Sequence, residues 1–217
     1  MQRRHLDRAT TKAVVFDLGG VLIDVHTDKA RRELIEKYGM RPHRFDRLTR
    51  SCFTSPQSSI TELAMLGKVG IADYLEAFLR ECTLEDVDGI RANRLSVVGG
   101  ERADVFEVAR KLQLAGLTCC ILSNTIALHW EKLLLSGDYP SLFGFDRIFA
   151  SHLIAHAKPQ ESAFSFVANA LEIRMSECLL IDDTPLNVNK AVSAGWRGLL
   201  FSEIGRASCR ERVLLGV

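Results

Sequence analysis

Five short apolar runs, each bounded by polar residues or glycine, punctuate the chain. They are AVVFD (13–17), TCCILSN (118–124), RIFAS (147–151), CLLIDD (178–183) and RGLLF (197–201). Runs this short, apolar without alternation and rich in β-branched residues or leucine, predict buried parallel strands. Between the later runs the spacing becomes helical. ERADVFEVARKLQLAG (101–116) places Val105, Ala109 and Leu112 on one stripe and ends at Gly116. PQESAFSFVANALEI (159–173) opens on Pro159 and carries Phe164, Val167 and Leu171, while TPLNVNKAVSAGW (184–196) has Pro185 near its start and Gly195 near its end. Proline inside the start and glycine past the end are helix boundaries. Strand and helix in alternation predict an α/β fold, a three-layer α/β/α doubly wound parallel sheet.

Between the first and second runs the pattern differs. No strand signal stands out from about residue 28 to 95, only short helical pieces at 28–38, 43–50, 59–66, 71–81 and 84–95. ARRELIEKYG and IADYLEAFLREC are the clearest amphipathic ones. An insertion of this length does not stay unstructured in a compact domain. The expected division is therefore an α/β core from 1–24 and 97–202, with a helical cap domain over 25–96. Residues 203–217 (EIGRASCRERVLLGV) leave the apolar periodicity abruptly and resemble the translation of a sequencing adapter; a non-native or disordered tail is expected there.

Composition narrows the function classes. With 28 basic and 27 acidic residues the formal charge is +1, which gives no broad electrostatic case for nucleic acid or an anionic membrane surface. No apolar run approaches the roughly 20 residues that span a bilayer. The six cysteines show no CxxC spacing or zinc-like clustering, and Cys119, Cys120 and Cys178 sit inside apolar runs, as buried reduced thiols do. A cytoplasmic protein is the expectation; the oligomeric state is not readable.

Ligands of an open parallel sheet bind at the carboxyl ends of its strands. The first run ends in Asp17, the second in Ser123 and Asn124 and the fourth in Asp182 and Asp183, while Lys158 follows the third. Each residue has a plainer reading. Asp17 alone reads equally as a turn or cap aspartate, Ser123 and Asn124 as caps of a following helix, Lys158 as a loop lysine, and one of the two adjacent aspartates as a hydrogen-bonding loop residue. His129, His152 and His156 are given no catalytic role, and Trp196 is expected to pack.

Taken together and in this order, the segments VVFDLGGVL, CILSNT, AKP with Phe164, and LLIDDTPLNVNKAVSAGW resemble the four motifs of the haloacid dehalogenase-like superfamily. The resemblance covers nearly all of 13–202, weakly in the cap. It implies a Mg²⁺-dependent hydrolase acting on a small-molecule phosphate ester through an aspartyl-phosphate on Asp17. It also implies metal ligation by Asp17, the Gly19 carbonyl and Asp183, with Asp182 as an alternative ligand. Lys158 would offset negative charge and orient Asp17, Ser123 and Asn124 would hold the phosphoryl oxygens, and Gly20 would let the backbone approach the substrate.

One departure matters. Most phosphatases of this superfamily carry a second aspartate two residues after the nucleophile, where it serves as general acid and base; here that residue is Gly19. A positioned general acid–base contributes about 10²- to 10⁴-fold in rate. Three readings therefore stay open: a phosphatase or phosphotransferase working without that aspartate, a metal-free 2-haloacid dehalogenase-type hydrolase, and a non-catalytic phospho-ligand binder. The acidic pair Asp182–Asp183 favours the first, since carboxylates there make sense around Mg²⁺.

Overall fold

The computed structural model describes residues 10–202, save 54, 56 and 138. The tail expected over 203–217 and the first nine residues lie outside the described part. The strands among the described residues are β1 (Ala13–Phe16), β2 (Ile23–Val25), β3 (Val98–Glu101), β4 (Thr118–Ser123), β5 (Ile148–Ala150), β6 (Cys178–Asp182) and β7 (Arg197–Leu200). All five runs expected to be strands are strands, ending within a residue or two of the sequence reading.

They form one parallel sheet in the order β5-β4-β1-β6-β7. β1 lies in the middle, with Phe16 level with Ile121 of β4 and Ile181 of β6. The chain fills one side of β1 first and then crosses to the other, so the switch in direction falls at the carboxyl end of β1. This is the three-layer α/β/α architecture that the pattern predicts. Alternate residues of each strand face opposite layers. Val14, Phe16, Cys119, Ile121, Leu179 and Ile181 join one apolar cluster with Phe106, Leu112 and Phe143. Val15, Cys120, Leu122 and Leu180 join another with Phe164, Val167 and Trp196. Trp196 packs edge-on against Phe164, with ring centroids 5.4 Å apart.

The layers come from α6 (Ala103–Leu114), α7 (Ala127–Ser136), α8 (Tyr139–Phe143), the single turn α9 (Ser151–Ile154), α10 (Glu161–Ala170) and α11 (Pro185–Ser193). The segment after β2 folds as α1 (Thr27–Glu36), α2 (Pro42–Thr49), α3 (Ile60–Met65), α4 (Ile71–Leu79) and α5 (Val87–Leu95). These five helices have their own apolar cluster around Leu34, Tyr38, Phe45, Tyr74, Phe78 and Ile90, floored by Ile126 and Leu128 at the start of α7. Local chemistry fixes their starts. Ser59 and Glu62 close a reciprocal capping box on α3, and Asp86 caps α5 by accepting the Gly89 N–H at 2.8 Å. Among the described residues no helix is long and apolar enough to cross a membrane.

Two features depart from the sequence reading. β2 and β3 pair as an antiparallel ribbon, Ile23 opposite Glu101 and Val25 opposite Val98, so the helix expected to begin at 101 begins at Ala103. α7 and α8 carried no helical expectation. In α7 leucines stand on every side, Leu128 and Leu133 buried but Leu135 exposed, which erases the stripe that identifies an amphipathic helix.

Candidate active site

β4, β1 and β6 are adjacent and parallel, so their carboxyl ends deliver Ser123, Asp17 and Asp182–Asp183 to one edge. Lys158 reaches the same edge from the loop after α9, preceding Pro159 across a cis peptide bond. Its side chain is 1% exposed, and its ammonium lies 2.8 Å from Asp17 Oδ1 and 2.6 Å from Asp182 Oδ2. Asp17 Oδ1 also accepts the Leu18 N–H at 2.6 Å. Among the described residues Asp17 Oδ2 accepts no hydrogen bond. Burial raises the Asp17 carboxyl to about 7 against the pull of Lys158, and the charges of Asp182 and Asp183 push the same way. Burial opposes the charge on Lys158, yet Asp17 and Asp182 together hold the ammonium above its ordinary range.

The two adjacent aspartates have different surroundings. Asp182 is fully buried. Its Oδ1 accepts the Thr184 N–H at 2.8 Å, and Asn187 Nδ2 stands 3.1 Å from both of its oxygens. With Lys158 on Oδ2, Asp182 is a structural hub of the acidic loop. Asp183 is exposed, and the Thr184 hydroxyl donates to its Oδ1 at 3.2 Å. Burial, then the charge of Asp182, raises its carboxyl above the usual range.

Gly20 stands against Asp183. A Cβ at Gly20 would lie 1.9 Å from Asp183 Oδ2, and its φ of +77° is one that L side chains rarely adopt. Its N–H is spent on the Ile23 carbonyl at 2.9 Å, so what Gly20 contributes is space rather than a donor. Ser123 is buried, and among the described residues its hydroxyl has no partner. Asn124 also lines the cavity over this edge, but its amide is committed: Nδ2 donates to the Lys158 carbonyl at 2.6 Å and Oδ1 accepts the Lys158 N–H at 2.9 Å. Neither residue caps α7, whose N-cap is Ile126.

One cavity of about 580 Å³ opens over this edge, lined by Asp17, Gly19, Ser123, Lys158 and Asp183 below and by Tyr74 and Arg94 of the five-helix segment above. Two arginines that the sequence reading passed over shape its surroundings. Arg102 anchors the loop after Asp17, donating to the Gly20 carbonyl at 2.6 Å and to Asp24 Oδ1 at 2.7 Å. Arg94 is buried on the inner face of α5 beside Ile90 and Asn93. A charged residue in register with an apolar stripe was the available signal. His129 also lines the cavity, with Nε2 2.9 Å from the Arg94 carbonyl oxygen. Burial, then the nearby Arg94 and Lys132 charges, lowers its imidazole to about 4.

This constellation has known counterparts. The family model of the haloacid dehalogenase-like hydrolases matches residues 11–195, covering β1 through the end of α11. The chain belongs to the haloacid dehalogenase-like hydrolases. Within that family it is 25% identical over 195 residues to a D-ribitol-5-phosphate phosphatase of Bacteroides thetaiotaomicron, covering 85% of this chain and 89% of the relative. It is also 25% identical over 200 residues to a phosphatase of Mycobacterium tuberculosis, covering 89% and 88%. In fold it is similar to a haloacid dehalogenase-family enzyme of Bacteroides thetaiotaomicron solved with magnesium and inorganic phosphate. That likeness has a TM-score of 0.74 at 20% identity, over 88% of this chain and 94% of the other. A dehalogenase structure is similar at TM-score 0.64 and 20% identity, covering 90% and 87%.

For a haloacid dehalogenase-like hydrolase, the charge balance of the edge is informative. One oxygen each of Asp17, Asp182 and Asp183 lies within 4.8 Å of the others, against the single ammonium of Lys158. Carboxylates that close repel unless countered, and oxygen donors of this kind suit a hard divalent cation. With Asp182 committed to Lys158, Thr184 and Asn187, the oxygens left for such a cation are those of Asp17 and Asp183.

Proposed function

We propose that this hydrolase is a phosphatase for a small phosphorylated metabolite, with Asp17 as nucleophile. The observation that carries the reading is the division of labour in Asp17. Its Oδ1 is fixed by the Leu18 N–H and Lys158, while among the described residues Oδ2 accepts no hydrogen bond, and Asp17 lines the cavity together with Asp183. Asp17 and Asp183, with the Gly19 carbonyl, are the groups that would hold Mg²⁺, and Asp182 would act behind them by seating Lys158. The ion would supply countercharge for the phosphate against the carboxylates and draw electron density from the phosphoryl oxygens.

Asp17 attacks phosphorus, the ester P–O bond breaks with its electron pair leaving on the alkoxide, and an aspartyl-phosphate forms. Water then attacks that phosphorus, inorganic phosphate leaves, and the Asp17 carboxylate is restored. The Ser123 hydroxyl, without a partner among the described residues, would donate to a phosphoryl oxygen, and Lys158 would keep the charge at Asp17 in balance. Asn124 serves by holding the backbone of Lys158 rather than by touching phosphate. Gly19 provides no acid for the departing alkoxide, so we read the substrate as one whose leaving group departs with little proton assistance, such as a sugar 1-phosphate. The five-helix segment is read as a cap that closes the cavity over a small molecule. The names of the two phosphatase relatives support the reaction class. The acidic cluster weighs against a halide displacement that needs no cation.

The test is phosphate release from a panel of phosphate esters and acyl phosphates by wild type and Asp17→Asn, each with Mg²⁺ and with EDTA. Release that requires both Asp17 and Mg²⁺ is expected. No release from any ester, or release that survives Asp17→Asn, overturns the reading.

A further inference from the structure

Arg94 is 3% exposed and lines the cavity, yet among the described residues its Nε and Nη1 are buried without a hydrogen-bond partner. Among the described residues no carboxylate pairs with it. Its guanidinium carbon sits 4.7 Å from the centre of the Phe78 ring and 5.7 Å from that of Phe45. Aromatic faces offset part of a buried cation's lost hydration but offer its N–H groups no acceptor. Surface arginines of the same segment are paired, Arg31 with Asp46, Arg47 with Glu81 and Arg80 with Glu76. The buried one, for which pairing matters most, is not.

The charge along the cavity is also segregated. Its carboxylates, Asp17 and Asp183, belong to the sheet edge; the lining residues of the helical segment, among them Thr49, Ser51, Thr61, Met65 and Tyr74, bring none. A neutral polyol would satisfy N–H groups but leave the charge uncompensated. A planar fork of donors matches an oxoanion.

We propose that Arg94 is a specificity-determining residue that binds a second anionic group of the substrate, a carboxylate or a second phosphate, where the helical segment lines the cavity. The proposal rests on the phosphate-ester reading for the group at Asp17. The substrate class is then a phosphate ester carrying an oxoanion at its other end.

Binding tests this apart from turnover. Asp17→Asn protein in Mg²⁺ is titrated calorimetrically with glycerol 3-phosphate, 3-phosphoglycerate and 1,3-propanediol bisphosphate. At least one of the latter two is expected to bind about 10- to 100-fold tighter than glycerol 3-phosphate, the span of a charge-assisted hydrogen-bonded pair. Which of them does so identifies the oxoanion. Adding Arg94→Met should abolish the preference, and Arg94→Lys, which keeps the charge and loses the fork, should retain part of it. Equal affinity for all three ligands overturns the proposal without any change at Arg94, as does a preference that persists in a folded Arg94→Met protein. A preference for the doubly anionic ligands alongside a wild type that releases no phosphate from any ester would uphold Arg94 and sink the phosphatase reading instead.

Discussion

Asn124 grips the backbone of Lys158 at both ends of one residue, donating to its carbonyl at 2.6 Å and accepting its N–H at 2.9 Å. The strand that supplies Ser123 thereby sets the position of a lysine that serves two other strands. Asn124→Ala removes both bonds and frees the loop to shift, and small misplacements of a charge-balancing group are costly in rate. The expected outcome is a fall in kcat/KM of about 10- to 100-fold with a stability loss of about 1–3 kcal/mol, read by phosphate release and thermal unfolding. Asn124→Asp places a carboxylate against the Lys158 carbonyl and should be worse than alanine.

Asp182 and Asp183 should separate cleanly. Asp182 is the buried acceptor for Lys158, Thr184 and Asn187, so Asp182→Ala is expected to destabilise the fold by about 3–5 kcal/mol. Exposed Asp183 has one weak side-chain partner, and Asp183→Ala should stay within about 0.5 kcal/mol of wild type while losing Mg²⁺-dependent activity. Chemical denaturation paired with Mg²⁺ titration tells the two apart; equal stability losses would contradict the division drawn here.

The adjacent glycines make a second contrast. Gly20→Ala drives a methyl into Asp183 Oδ2 at a left-handed φ, so the Mg²⁺ concentration for half-maximal activity should rise at least tenfold. A Cβ at Gly19 meets only Val25 Cγ2, at 3.1 Å, and Val25 is 44% exposed and free to give. Gly19→Ala should therefore keep both fold and metal dependence.

In EDTA, Asp17 and His129 pull stability in opposite directions with pH. Asp17 titrates near 7 when folded and near 3.8 otherwise, so the folded state holds the proton more tightly and stability falls as pH rises from about 4 to 7. His129 titrates near 4 when folded and near 6.5 otherwise, so its contribution is present above 6.5 and is lost as pH falls towards 4. Melting temperatures of Asp17→Asn relative to wild type should climb between pH 4 and 7. Those of His129→Gln, which can still donate to the Arg94 carbonyl, should climb relative to wild type as pH drops from 6.5 to 4.

Residues that end strands were legible because an apolar run that stops at a polar residue carries its own address. Asp17, Ser123 and Asp182–Asp183 could be placed at one edge from the order of runs alone. Contacts between loops were not legible. Nothing in the spacing of Asn124 and Lys158 announces that one holds the other, and Arg102 is separated from Gly20 by the whole helical segment. The β2–β3 ribbon was missed because IDV is too short, and VGGE too short and glycine-rich, to show a period. Arg94 was hidden for the opposite reason: it sits on a clear helix, and a charge on an apolar stripe reads as noise until its surroundings are seen.

The ribbon has a consequence for how such a chain can be rebuilt. Ile23 faces Glu101 and Val25 faces Val98, so the way out to the five helices and the way back lie side by side. A segment whose two ends touch can be exchanged without stretching any connection in its host. A replacement of residues 27–95 would leave Asp17, Lys158 and Asp183 in place and take Arg94 with it, and it would have to supply its own partners for Ile126 and Leu128.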